Sequence, residues 1–277
     1  MSEASEKSDS LIPPYLSDES LCGKELFRYY RNNKTIFDFF FFGIDLVTKL
    51  DEAGLVATKV LAEGGDRKHR ERLQILEKNP RPAFKKLQSF GRFQAEVICI
   101  RLVDNFSCFL SETIQSAMLK RPEMLRSSEQ VKLSEVLRFT KYQDLVEFLV
   151  NRKVNELSYR GIQDIEDFLV DRVGCKLTET TEDRDNLSLA IELRNIYTHT
   201  RGVVSEVTLK RLKGTKFYDQ LKLGDDYHVG YDEIIILARS MFKIACDLDL
   251  QFSKKFRFRR IAYGKRMASI SSSSRSH

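Results

Sequence analysis

Between Phe90 and Lys120 apolar residues return every three or four positions: Phe93, Val97, Ile100, Val103, Phe106, Leu110, Ile114 and Met118. That spacing matches the 3.6-residue turn of an α-helix and lays one apolar stripe along about 45 Å of helix axis. A helix of this length cannot cover its own stripe, so the remaining chain must wrap it with further layers. The composition favours helices as that wrapping. Five prolines, 13 glycines and no Trp in 277 residues disfavour a turn-rich sandwich.

Other segments share the helical period. Residues 15–76 read as helical, with Leu26, Tyr29, Tyr30, Phe40, Ile44, Leu46, Val47 and Leu50 at helical spacing, and Gly64-Gly65-Asp66 as a break. Asn79-Pro80-Arg81-Pro82 forbids helix across it and is the expected internal boundary. Pro122 stops the long helix. Helices follow over residues 142–159, 161–173, 185–201 and 205–213, with Gly202 expected to cap the third of them. Leu221 to Val229, with Gly224-Asp225-Asp226 at its turn, reads as a small β-hairpin before a last helix over residues 231–250. The expected fold is all-α: a bundle of about five helices, a helical extension in front of it, and that hairpin. Residues 1–14 are expected to be a disordered tail, 15–82 the extension, 83–253 the bundle and 254–277 a basic disordered tail.

Composition and local pattern narrow the setting. Cys22, Cys99, Cys108, Cys175 and Cys246 are odd in number and scattered, as in reduced cytoplasmic proteins. The first ten residues are polar and acidic rather than signal-like. The Phe-rich run over residues 36–47 is broken by Asp38 and Asp45 and falls short of the roughly 20 residues a membrane span needs, so no membrane partner is expected. The four histidines and the acidic residues show no metal-ligand spacing, and no Gly-rich phosphate loop occurs, so neither metal nor cofactor is expected. His69, in a charged run, and His228, at the hairpin, read as surface residues.

Charge is uneven. Eight of the basic residues, Lys254, Lys255, Arg257, Arg259, Arg260, Lys265, Arg266 and Arg275, lie after residue 253 without one acidic residue, which leaves the rest of a +6 chain at −2. Basic residues interleaved with Phe252, Phe256 and Phe258 suit backbone neutralisation with base stacking on RNA. The same pattern also suits a solubilising arm or a contact with a membrane surface or protein.

The residues with the clearest chemistry are Arg194, Asn195 and His199. An imidazole moves protons near neutral pH, and a guanidinium clamps phosphate oxygens, so the set contains the parts for metal-free phosphodiester cleavage. At about 100° per residue Asn195 and His199 share a face, whereas Arg194 and His199 stand about 140° apart. Either Arg194 reaches around the helix or a second helix supplies the missing group. The same residues at a helix end also complement the macrodipole. Glu192 and Asp185 either pair with Arg194 or solvate the helix, and solvation is the expectation. Arg201, Lys210, Arg211, Lys213 and Lys216 follow closely, either extending a phosphate-binding surface or forming an ordinary exposed face.

The stretch from Leu193 to Glu206 fits the form RN-x-x-x-H-x-x-G-x-V-x-E and resembles the HEPN superfamily. Phe106-x-x-Phe109-Leu110-Ser111, the run Lys120-Arg121-Pro122-Glu123 and the Leu223-Gly224-Asp225 turn are similar to the same family, so the likeness covers residues 90–252. The resemblance implies an all-α bundle, dimeric, acting as a metal-independent endoribonuclease in toxin or phage-defence systems. His199 would be the general acid/base, Arg194 would hold phosphate oxygens and Asn195 would orient phosphate or imidazole. Each cleft would draw on both subunits of a homodimer, with an antitoxin or sensor protein as a further partner. The alternative is a catalytically silent HEPN module that binds RNA or a protein as a scaffold.

Overall fold

The computed structural model describes residues 13–126, 131–160 and 162–273. Among these residues eleven α-helices dominate: α1 Lys24–Glu63, α2 Arg67–Lys78, α3 Pro82–Gln88, α4 Gly91–Lys120, α5 Leu133–Val136, α6 Tyr142–Arg160, α7 Ile162–Phe168, α8 Thr181–His199, α9 Glu206–Leu212, α10 Tyr231–Phe256 and α11 Tyr263–Ser273. The fold is all-α, as the periodicity predicts. Among the described residues no helix is long and apolar enough to cross a membrane.

Helix α4 is the axis around which α1, α6, α8 and α10 pack. Its buried face carries Leu102, Val103, Phe106, Phe109, Leu110 and Ile114. Phe93 and Val97, expected on the core stripe, are exposed instead, because Ala95, Ile98 and Cys99 take the inward positions there. Burial in this core pushes the Cys99 thiol up to about 12, which makes it a small hydrophobe rather than a nucleophile.

The boundary at residues 79–82 separates helices but not cores, and this corrects the division of the chain at residue 82. The first half of α1 buries Leu26, Phe27, Tyr29, Tyr30 and Phe37 in the same cluster as α4, α8 and α10. Asn105 of α4 donates to the Tyr29 carbonyl and to Asn33 Oδ1, both at 2.8 Å, so the contact is polar as well as apolar. The outer half of α1 does project, and α2 and α3 fold back along it. Its Asp51 is buried and accepts the N–H groups of Ala83 and Phe84 at 2.9 Å each, an N-cap for α3 supplied from 32 residues away.

Two further expectations are overturned. The chain from Lys254 to Ser273 is not a disordered tail: α10 continues to Phe256, Ile261–Ala262 forms strand β2, and α11 follows. Strand β2 pairs antiparallel with β1, Leu21–Cys22, with Leu21 opposite Ala262 and Cys22 opposite Ile261. Phe252 and Phe256 are buried and Phe258 stacks half-buried on Phe256, 5.7 Å between ring centroids, so the aromatics that suggested base stacking belong to the core, while Lys254, Lys255, Arg257 and Arg259 form the outer face. Of the opposite tail, residues 1–12 lie outside the described residues, as does Arg275.

The Leu221–Val229 segment does not pair with itself as a hairpin. Val204 N–H donates to Asp225 O at 2.9 Å, Gly224 N–H to Val204 O at 3.0 Å and Tyr227 N–H to Gly202 O at 2.9 Å. Its backbone partner is thus the segment just after α8. The chain reverses there because Arg201 (φ 54°) and Gly202 (φ 91°) are both left-handed.

Candidate functional site

Helix α8 is capped by Thr180, whose hydroxyl accepts the Asp183 N–H at 3.1 Å. Leu187, Ala190, Leu193, Ile196 and Tyr197 bury one face against α4 and α10. Tyr197 also ties the helix end to the crossing loop, since its hydroxyl accepts the Val229 N–H at 3.0 Å. At the C-terminus both Thr200 N–H and Gly202 N–H converge on the Ile196 carbonyl, at 2.9 and 3.0 Å. This scaffold holds Arg194 half-buried and leaves His199 exposed on the last turn.

Arg194 is engaged within its own subunit. Its Nε donates to Asp104 Oδ1 of α4 at 2.9 Å, and Nη1 reaches Asn195 Oδ1 at 3.4 Å. His199 makes no hydrogen bond among the described residues, and none joins it to Arg194. One chain therefore keeps the two groups apart, as the 140° offset requires. Asn195 donates to Glu192 Oε1 at 3.2 Å, and Arg211 of α9 donates to the same oxygen at 3.3 Å. Glu192 is buried, and that desolvation raises its carboxyl above the usual range against the opposing pull of Arg211 and Asn195. Solvation is thus the wrong reading for Glu192. It is equally wrong for Asp185, which is buried and accepts the Lys216 N–H at 2.9 Å.

A second polar cluster abuts the same helix end. Arg92 grips Asp226 in a bidentate pair at 2.6 and 2.9 Å and also reaches Glu96 at 2.8 Å and His228 Nε2 at 3.0 Å. The guanidinium holds the Asp226 carboxyl below the usual range. A side chain at Gly202 would run into this pair, with Asp226 Oδ1 only 2.9 Å from the position of a Cβ. Sequence reasoning passed over Arg92, Asp104 and Asp226. Nothing in their local spacing marks them, because each acts through a partner about 90 residues or more away.

The basic residues divide into two groups. All five of the first are exposed: Arg201 just after α8, Lys210 and Arg211 on α9, and Lys213 and Lys216 beyond it, with Arg211 partly spent on Glu192 and Lys216 on Glu182 at the start of α8. Lys254, Lys255, Arg257 and Arg259 are exposed at the far end of α10. Arg121 stacks over Phe256 there, 5.1 Å from the ring centroid, which places this group at the C-terminal end of α4. Arg194 meets α4 at Asp104, so about 25 Å of helix rise separates Arg194 from this second group. The C-terminal basic residues do not extend the Arg194 site within one subunit. Arg260 leaves the set altogether, because its guanidinium is committed to Asp249 and to the Leu21 carbonyl.

Among the described residues no three His, Cys, Asp or Glu side chains converge on a metal position. A cavity of about 510 Å³ lies between α1, α3, α4 and α10, lined by Phe37, Phe40, Phe84, Ile98, Tyr231 and Ile234 among others, and it contains none of the candidate site residues. No protein-family model matches this chain, and no curated protein or solved structure matches it.

Proposed function

We propose that this protein is a metal-independent endoribonuclease of the HEPN type, acting in growth inhibition or phage defence. The observation that carries this reading is the end of α8, where an imidazole, exposed and without a hydrogen bond among the described residues, stands one and a half turns from a guanidinium held in place by Asp104. In the reaction, the RNA 2′-hydroxyl attacks the adjacent phosphorus. His199 accepts the hydroxyl proton or protonates the leaving 5′-oxygen. Arg194 offers the guanidinium donors that Asp104 and Asn195 do not use to the non-bridging oxygens, where charge builds in the transition state. Asn195 sits beside them, its amide already oriented by Glu192. Because Arg194 and His199 of one helix diverge, a complete site draws His199 and Arg194 from two copies. DNA, lacking the 2′-hydroxyl, is not cut.

The ion pair to Asp104 favours a second reading, in which Arg194 is a packing element and the protein binds RNA or a partner protein without cleaving. RNA cleavage in the presence of EDTA, compared across wild type, Arg194→Ala and His199→Ala, separates the two. The nuclease reading expects 2′,3′-cyclic phosphate and 5′-hydroxyl ends, with a loss of roughly 10²–10⁴-fold in His199→Ala. Equal cleavage by all three proteins eliminates the assignment. An inactive wild type that still binds RNA establishes the scaffold instead.

A further inference from the structure

The outer half of α1 has a second apolar face that no other part of the described chain covers. Helices α2 and α3 pack on the side bearing Asp51, Thr58 and Ala62, all buried. About 130° around the helix runs a different line of residues. Phe39, Leu46, Ala53 and Val60 recur every seven positions, and Gly43, Leu50, Ala57 and Gly64 recur at the same interval between them. None of these eight is charged, and the large ones are open to solvent: Phe39 is 79% exposed, Leu46 53%, Leu50 62% and Val60 62%. An alternating four-three repeat is the pattern of a helix that lies along another helix in a supercoiled seam.

Side-chain size along the seam indicates which helix fits. Bulk is concentrated toward the start, at Phe39, Leu46 and Leu50, and small residues toward the end, at Ala53, Ala57 and Gly64. Laid antiparallel on a copy of itself, the seam sets Phe39 over Gly64, Val60 over Gly43, Leu46 over Ala57 and Leu50 over Ala53. Every layer then joins a large side chain to a small one, as interdigitated packing requires. A parallel pair would stack Phe39 on Phe39 and leave voids where glycine meets glycine.

Gly43 fits the same arrangement. It lies inside α1, where glycine is a poor helix former, and a Cβ there would meet nothing within 4 Å. Gly54 of the same helix is equally open, so what sets Gly43 apart is its place on the seam, where Val60 of a second copy would lie directly over it. Phe42, Val56 and Leu61 flank the seam and are also exposed, so seven large apolar side chains form one open strip of the kind that marks an association surface.

We infer that α1 is a self-association helix, and that a second copy of this chain docks on it antiparallel. The inference does not depend on the nuclease reading. None of Arg194, Asn195 and His199 lies on α1, so the seam does not itself assemble the Arg194–His199 cleft.

Sedimentation of the full chain tests the interface. Leu46→Glu with Leu50→Glu, both at exposed positions, halves the sedimenting mass of the wild-type assembly while leaving the helical circular dichroism intact. Gly43→Leu has open space in the isolated subunit but collides with Val60 of a second copy. It therefore weakens association at least tenfold without lowering subunit helicity. In a Cys108→Ser background, which removes the exposed thiol, Leu46→Cys mixed with Ala57→Cys yields the mixed disulfide in preference to either homodimer. An unchanged mass in the double Glu variant overturns the proposal, as does a Leu46→Cys homodimer formed in preference to the mixed product. RNA cleavage measured on the same variants keeps this outcome distinct from that of the nuclease reading.

Discussion

Replacing Arg260 with alanine isolates the tie between the two ends of the chain. Asp249 is 6% exposed, takes the Gly23 N–H on both oxygens at 3.0 and 3.1 Å, and receives Arg260 Nε at 2.9 Å. The same guanidinium donates to the Leu21 carbonyl of β1 at 2.6 Å. Removing it leaves a buried carboxylate with a single backbone donor. Breaking a buried pair from one side costs about 3–5 kcal/mol. Arg260 is a quarter exposed, so water replaces part of what is lost, and about 2–3 kcal/mol is the expected loss. For a chain of 277 residues that lowers Tm by about 3–5 °C.

The pH dependence has a definite sign. Burial raises the Asp249 carboxyl above its ordinary value, with the Gly23 N–H and Arg260 opposing it. A raised folded pKa means that stability is fully present below the unfolded value and is lost as pH rises through the folded value. Without Arg260 that rise is larger, so the defect is greatest at neutral pH and shrinks as the solution approaches about pH 4. Asp249→Asn removes the charge, and the double variant should regain about half or more of the loss. Thermal unfolding of the wild type, both singles and the double at pH 5 and pH 8 measures all of this. A Tm for Arg260→Ala within about 1 °C of wild type refutes the reasoning, as does strict additivity in the double variant.

Asp51→Ala should uncap α3 at a cost of about 1–2 kcal/mol, with hydrogen exchange accelerating at Ala83 and Phe84 and unchanged in α4. Protection that persists at both amides would mean the cap is dispensable. Glu192 is also held above the usual carboxylate range by burial, so its ionisation opposes folding and stability falls as pH rises through its folded pKa. Glu192→Gln keeps an acceptor for Asn195 and Arg211 and should flatten that fall, as read by denaturant midpoints from pH 4 to 8. A midpoint profile identical to wild type would place the pH dependence elsewhere.

The periodic segments were legible because helical spacing is a local property. The long α4, the glycine break at residues 64–65 and the helix carrying Arg194 and His199 all follow from neighbours three and four positions apart. Spacing gives faces, however, and does not say which face meets a neighbour. Phe93 and Val97 lie on the periodic stripe of α4 and point to solvent, while Phe252 and Phe256, among lysines and arginines, point to the core. A free amphipathic arm and a docked one carry the same pattern, which is why the basic end of the chain read as disordered.

The candidate site divides in the same way. Residue types alone gave Arg194, Asn195 and His199 their possible chemistry, and helical geometry alone set the angular gap between the guanidinium and the imidazole. The partners are non-local: Asp104 for Arg194, Arg211 for Glu192 and Asp249 for Arg260. Packing also set the C-terminal basic residues about 25 Å along α4 from Arg194 and committed Arg260 to structure rather than to nucleic acid. Periodicity is written by backbone geometry within a turn. Partnership depends on which surfaces the burial of apolar area brings together, and that is a property of the whole chain.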